Sequence, residues 1–427
     1  MIPKPLRILF DARMASWGGV GRYTTGLLGG LAEIAEDAGV NISALRMSAD
    51  THLFPQTALD RVHWLNCKHG PWTLRGLEEA ARAARADVDV FHTPHITLFP
   101  PGFSGARVGT LHDVIPLQHP NTISSPHRRV MFRALLHAFV TRADWLLFGS
   151  RRAATDAIAA GLSLPHFSIV LNAVDDRFRI QTVEEQHRAC RQIGVRPGSI
   201  MWVGPFKRHK NLEALIQAYA LLPDTLRSEV ELVLAGANHN AYGRELSALA
   251  AELIGPGQPG QVRFPGYVPD DLLPALLSSA ALYVFPSLSE GFGLPALEAR
   301  SCGAPVATSD TTPVREFLGN NAWYFDPRKP ENLAELLGTL LSPSGQLGNR
   351  LGARPSFISV VHTWRHTASV TAQCYHRAYW LRRQDNRAFP YHLLPCIEEA
   401  VSPSSPSRSA TVHSPTAPKI RPDIASR

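Results

Sequence analysis

The chain has 427 residues, 44% of them hydrophobic and 19% charged, enough for two or three domains that each bury a sizeable core. No stretch approaches the ~18 apolar residues of a membrane span, and the start M-I-P-K-P-L-R-I-L-F-D-A turns polar too soon for a secretory signal, so a cytoplasmic protein is expected. Of the net charge of +7, six units sit in residues 351–427, which hold 10 Lys and Arg against 4 Asp and Glu and leave 33 against 32 elsewhere; that argues against a basic nucleic-acid-binding body and leaves a solvated tail or weak contact with an anionic inner membrane surface.

In chain order, R-I-L-F-D-A at 7–12 opens a strand. The loop Arg13-Met-Ala-Ser-Trp-Gly18-Gly19 then leads into V-G-R-Y-T-T-G-L-L, where the apolar spacing becomes helical. Glycines just before a helix allow a phosphate close to the backbone. Residues 41–47, 88–92 and 108–113 read as further strands. V-F-H-T-P-H at 90–95 and G-T-L-H-D-V-I-P at 109–116 put His92, His95, His112 and Asp113 near strand ends, the edge of an open parallel sheet where ligands bind. Taken singly, each histidine reads as packed or surface. Residues 126–142 have the spacing of an amphipathic helix with Arg and His on its polar face. A strand at 145–150, a helix ending at Gly161 and a strand at 167–172 follow, and the charged, patternless segment 176–198 reads as an interdomain connection.

A second series of alternating strands and helices starts at 199–204. Its loop P-F-K-R-H-K-N, residues 205–211, puts Lys207, Arg208 and Lys210 against the start of a helix over 212–222. Cations there oppose the helix dipole, and a bound diphosphate resolves the conflict. Strands are expected at 231–236, 262–268, 281–285 and 305–310, with helices near 242–254 and 270–279. After the strand at 281–285 comes P-S-L-S-E-G-F-G-L-P-A-L-E, a glycine loop opening a helix at Leu294. Free N–H groups at Gly291, Phe292, Gly293 and Leu294, together with the helix dipole, make an anion site. Glu290 and Glu298 bracket it, on the order of 10 Å apart at the helical rise. That is too far for one proton shuttle and suits a long ligand held at two hydroxyl-bearing ends. Residues 357–380 read as helical, and the Ser/Pro-rich stretch beyond 401 as disordered. The five cysteines, Cys67, Cys190, Cys302, Cys374 and Cys396, are scattered and form no C-x-x-C pair, so neither a disulfide framework nor a zinc site is indicated.

Glu290-Gly-Phe-Gly-Leu-Pro-Ala-Leu-Glu298 followed by C-G-A-P-V resembles the E-x7-E signature of the retaining nucleotide-sugar glycosyltransferases of family 4 (group 1), and similarity runs from about residue 7 to 341. The resemblance implies an α/β fold of the GT-B type, two Rossmann-like domains whose parallel sheets face across a cleft. Residues 1–176 form the acceptor domain, joined by a helix over about 357–384 that crosses back; residues 199–345 form the donor domain, and 402–427 a disordered tail. It assigns Glu290 to the hydroxyls of the donor sugar, Glu298 to the ribose and the loop between to the diphosphate. Gly18 and Gly19, from G-G-V-G-R-Y, face the donor phosphate. His112 of H-D-V-I-P lies beside the sugar, oriented by Asp113. Lys210-Asn211 match the family's K-N, while Pro205 replaces an arginine that contacts the phosphates in many members; Lys207 or Arg208 takes its place. Gly266, Tyr267 and Val268 flank the base. Ala173 stands where N-G-V-D has glycine, which questions a left-handed backbone there.

The function expected from this resemblance is retaining transfer of a hexose, mannose from GDP-mannose, to a glycan or lipid-linked saccharide in O-antigen or other surface-polysaccharide synthesis. A UDP-sugar-dependent transferase is the first alternative. A sugar-nucleotide epimerase or hydrolase, with the His112-Asp113 pair as its base, and a non-catalytic binder are the others. No D-x-D dyad sits at a strand end to hold Mg²⁺ or Mn²⁺, so neither metal nor cofactor is expected. Lys210 with Lys207 or Arg208, the helix start at Gly293 and the amides near Gly19 would neutralise the leaving diphosphate. Glu290 would position the sugar during same-face attack, with the leaving phosphate oxygen taking the acceptor's proton.

Overall fold

A computed structural model describes residues 4–383 except 86, 124, 256 and 343–362; the tail at 402–427, the start of the helix expected from 357 and the donor-domain limit at 345 lie outside the described residues. Two wholly parallel sheets organise the chain. The first has seven strands, β1 (Leu6–Asp11), β2 (Val40–Met47), β3 (His63–Cys67), β4 (Val90–Thr93), β5 (Ala106–Thr110), β6 (Trp145–Phe148) and β7 (His166–Ile169), in the order β3-β2-β1-β4-β5-β6-β7. The second has six, β8 (Ile200–Val203), β9 (Leu232–Ala235), β10 (Val262–Gly266), β11 (Leu282–Phe285), β12 (Val306–Ser309) and β13 (Trp323–Phe325), ordered β10-β9-β8-β11-β12-β13. Strands such as W-L-L-F, L-V-L-A and L-Y-V-F are buried along their whole length, because helices cover both faces of such sheets.

Each sheet reverses its strand order once, between β1 and β4 and between β8 and β11. Loops leaving the carboxyl ends of strands at such a switch point diverge and open a crevice. The glycine loop follows β1, the basic loop follows β8, and the Glu290 loop follows β11. The segment 176–198 is not a bare connection. It holds a helix, Val183–Ile193, whose Thr182 side chain accepts from the Glu185 amide while the Glu185 carboxylate accepts from the Thr182 amide, and which ends at Gly194 with φ +76. Cys190 and Val195 join the core of the second domain. Ala173 keeps an ordinary negative φ, since Asp87 and Asn211 are the non-glycine residues with positive φ among those described.

The last described helix, Trp364–Arg382, packs on the first domain, against the helix Gly18–Ile34. Side chains at Gly26 and Gly30 would collide with the Trp364 ring and the Trp364 carbonyl. A buried polar chain adds direction to this contact. The Tyr23 hydroxyl pairs with Thr110 Oγ1 (2.9 Å), which also meets His92 Nε2 (2.9 Å), and His92 Nδ1 meets the Tyr375 hydroxyl (2.6 Å). His92 is thus a structural histidine in the core. The helix Pro126–Arg142 departs from the expected one-sided pattern: Leu136, Phe139 and Val140 are buried, while Val130 and Met131 in its first half face solvent.

Alanine in place of glycine inside a helix ordinarily gains roughly 0.5–1 kcal/mol. Gly30→Ala is expected to reverse that sign and destabilise by about 1–3 kcal/mol through overpacking against Trp364, whereas Gly19→Ala, which meets no atom, stays within about 0.5 kcal/mol. Urea denaturation decides it: an unshifted or raised midpoint for Gly30→Ala would rule out the helix contact.

Candidate active site

The Glu290 loop leaves β11 at Phe285 and turns into the helix Leu294–Ser301 through Gly293, where a φ of +102 and the 2.6 Å at which a Cβ would meet the Val314 side chain exclude any other residue. The two carboxylates of this unit face different cations. Glu290 Oε1 accepts from Lys210 Nζ at 2.6 Å. Glu298, buried in the helix, accepts from Nη1 of Arg22 in the other domain at 2.6 Å, and Arg22 also reaches Asp270 at 3.4 Å. Burial raises the Glu298 pKa, opposed chiefly by Arg22.

Lys210 ends a one-turn 3-10 helix, and Asn211 follows in the left-handed region at φ +57, which asparagine tolerates better than most residues. Its side-chain amide donates to the carbonyls of Pro286 (3.2 Å) and Pro327 (2.7 Å), and the Leu288 amide donates to the His209 carbonyl (2.8 Å). The basic loop and the Glu290 loop are therefore one hydrogen-bonded unit. The Arg208 guanidinium turns away, bound to Glu245 at 2.7 Å and lying over the Tyr242 ring. Lys207 is instead near enough to the cleft for its charge to act on Asp113.

From the first domain, His112 Nε2 donates to the Pro94 carbonyl at 2.8 Å, so the neutral ring keeps its proton on Nε2 and its lone pair on Nδ1. Pro94 is the group that orients this ring; Asp113 accepts the Ile115 amide at 3.0 Å. Gly291 lies so close to the His112 carbonyl that a side chain there would collide with it, and the Ser150 hydroxyl donates to the Gly291 carbonyl at 2.6 Å. Ser289 donates to Gln118 at 2.8 Å. The Glu290 loop is thereby seated on the first domain.

Gly18 and Gly19 begin their helix beside open space, since a side chain at either would meet nothing within 4 Å. Gly266 is similarly open at φ +83 and Tyr267 is 70% exposed, whereas Val268 is in the core. Phe292 packs on Phe317 with ring centroids 4.3 Å apart, so only its backbone is free for a ligand, and Leu294 is half-buried at the helix start. Among the described residues no three His, Cys, Asp or Glu side chains gather to hold a metal. Sequence reasoning missed Arg22 as the partner of Glu298 and Pro94 as the partner of His112, and it treated His95 as ordinary. The R of G-G-V-G-R-Y was a signal for the first; long-range contacts carry none for the others.

Burial pushes the imidazoles of His92 and His95 down to about 3 and those of His112 and His209 down to about 4. Unfolded histidines take up protons near pH 6.5, so stability is lost as pH falls from about 6.5 toward 4. The carboxyls of Glu298 and Asp113, raised by burial, act in the opposite sense. His95→Gln removes one of the proton-linked losses, and the fall in Tm from pH 7 to 5 should become shallower than in the wild type; an equal fall would mean that His95 is not held neutral.

Two family models match the chain, "Glycosyltransferase Family 4" over residues 17–178 and "Glycosyl transferases group 1" over 184–354. The chain is 38% identical over 149 residues to the O-antigen chain mannosyltransferase B of Escherichia coli, covering 34% of this chain and 38% of that protein. It is 30% identical over 278 residues to the serotype-specific mannosyltransferase WbdA of Escherichia coli, covering 62% of this chain and 33% of that protein. The match thus spans only about a third of the length of these relatives. Among solved structures, Anabaena Alr3699/HepE in complex with UDP and glucose superposes with a TM-score of 0.60 at 18% identity, over 89% of this chain and 98% of that one, a likeness of fold. With both halves matched in order and two parallel sheets arranged as in GT-B neighbours, the chain belongs to the family 4 (group 1) glycosyltransferases of the GT-B fold.

Proposed function

We propose that this protein transfers a hexose, mannose from GDP-mannose, to a hydroxyl of a glycan or lipid-linked saccharide in surface-polysaccharide synthesis, with retention and without a metal. The observation that carries the reading is one strand-loop-helix unit bearing two carboxylates, each facing its own cation, opposite an open glycine loop. The mannosyltransferase relatives support the sugar. Glu290 holds donor-sugar hydroxyls and Glu298 the ribose, so that Lys210 and Lys207 face the diphosphate between them. Arg208, committed to Glu245, is the poorer candidate. Negative charge grows on the leaving phosphate as the glycosidic bond breaks, and Lys210, the Gly293 helix start and the amides at Gly18 and Gly19 stabilise it. The acceptor oxygen attacks from the same face and gives its proton to that phosphate oxygen. His112, neutral because burial lowers its pKa, lends a hydrogen-bonding nitrogen without adding charge.

Steady-state kinetics divide these roles. Glu298→Ala should raise the donor Kd, while Glu290→Ala should mainly lower kcat. Lys210→Ala is expected to cost on the order of 10²-fold in rate, and a near-wild-type rate would move the phosphates elsewhere.

GDP-mannose should raise Tm more than UDP-glucose, UDP-galactose or UDP-N-acetylglucosamine, and activity should survive EDTA. A clear shift with a UDP-sugar and none with GDP-mannose would discard the mannosyl donor; loss in EDTA restored by Mn²⁺ would discard the metal-free mechanism.

No described helix is long and apolar enough to cross a membrane. The exposed Val130 and Met131, among Arg128, Arg129 and Arg133 on one helix, support weak contact with an anionic membrane surface. Val130→Asp with Met131→Asp should weaken sedimentation with phosphatidylglycerol vesicles and leave the donor-induced Tm shift intact; unchanged vesicle binding would exclude this helix as the contact.

A further inference from the structure

The site described so far accounts for a donor and leaves the acceptor without one. Near it stand two tryptophans that no donor role absorbs. Trp17 is 53% and Trp72 40% exposed, although burying such a ring is among the more favourable contributions a side chain makes. Their rings lie 4.4 Å apart at 31°. The Trp72 indole N–H is already spent on the Ile96 carbonyl at 3.1 Å, so the apolar ring surface is what it offers to solvent.

The pair is held by buried structure. Asp11 and Arg13, both almost wholly buried, form a two-bond ion pair at 2.7 and 2.8 Å. The same guanidinium donates to the carbonyls of His69 (3.2 Å) and Gly76 (2.8 Å), on either side of Trp72. Thr73 caps the next helix, Leu74–Ala84, by accepting the Gly76 amide. Trp17 is fixed as the residue before the Gly18–Ile34 helix, its amide donating to the Met14 carbonyl at 3.0 Å. A buried cation is thus used to present an exposed indole.

Ring contacts lead from this pair toward the reaction centre. Trp72 lies edge-on to His95 at 6.1 Å, and His95 lies 6.0 Å from His112, whose carbonyl touches the donor loop at Gly291. Nδ1 of His95 is buried and has no hydrogen-bond partner, a cost that a ligand hydroxyl would remove. Flat apolar rings followed by a polar atom in want of a partner match a pyranose, which has a C–H face and a hydroxyl rim.

We propose that Trp17 and Trp72 form the stacking platform for a neutral pyranose ring of the acceptor saccharide, with His95 Nδ1 bonding one of its hydroxyls and His112 at the reacting end. The proposal rests on the transferase reading for its direction, toward Glu290, and its binding test does not need turnover.

The full-length protein without donor is titrated with methyl α-D-mannopyranoside and with an α-linked mannobiose, reading tryptophan fluorescence. The wild type should give a saturable change; Trp72→Ala and Trp17→Ala should weaken it about tenfold or abolish it, as loss of a stacking partner does, and Trp72→Phe should retain most of it. The Tm shift with GDP-mannose should be the same in all four proteins. Where transfer is measurable, KM for mannobiose should rise in the alanine variants with little change in the donor KM. Equal saccharide affinity in wild type and Trp72→Ala, no saturable response to either saccharide, a donor shift lost together with Trp72, or a response to lipid vesicles in place of saccharides would each overturn the proposal. Saccharide binding that depends on Trp72 without any transfer from GDP-mannose would uphold the platform and refute the donor instead.

Discussion

A carboxylate cannot be taken out of water alone, and the architecture of this molecule turns on where Glu298 finds its counter-charge. The partner is Arg22, on the other domain. Removing one side of a buried pair leaves the other uncompensated, a loss of several kcal/mol, so the cleft is drawn together around this contact. Lys210 and Glu290 repeat the arrangement within the second domain. In both pairs a carboxylate is matched by a cation at 2.6 Å.

The backbone imposes a second constraint. Parallel sheets with one reversal each direct their loops to a single crevice, and two such crevices face one another only if the loops tolerate near contact. Glycine at 291 supplies that tolerance where the Glu290 loop meets the His112 carbonyl, and glycine at 293 supplies the left-handed turn that starts the helix. Asn211 performs the corresponding turn in the basic loop and uses its amide to tie that loop to Pro286 and Pro327. Positions of charge in the site therefore depend on residues that carry none.

Much of this was legible in the amino-acid sequence because the informative signals are local. Short apolar runs such as 282–285 followed by glycine and then helical spacing identify strand, loop and helix without reference to the rest of the chain. The helix Val183–Ile193 was equally local, with Thr182 and Glu185 spaced as a capping box, and was overlooked because its charged exposed face hid the few apolar positions. Edge strand β3 faced the same difficulty, since H-W-L-N-C is only partly buried. What local reading does not reach are contacts between distant segments. Arg13, in the sequence only the first residue of a loop, proves to be the buried brace of residues 69–76, and His112 takes its orientation from Pro94, on a different strand's loop, and not from the aspartate beside it.

The helix Trp364–Arg382 completes the first domain's core through Ala368, Ala372, Tyr375 and Ala378, yet the ribosome makes it only after the whole second domain. Domains usually fold as units in the order of their synthesis. Here the first one emerges with the Gly26 and Gly30 face of its leading helix uncovered and His92 without Tyr375, and must wait for residues made much later. A nascent or prematurely ended chain therefore exposes an apolar seam that the finished protein hides, so quality control during translation bears on the first-made half more heavily than on the second.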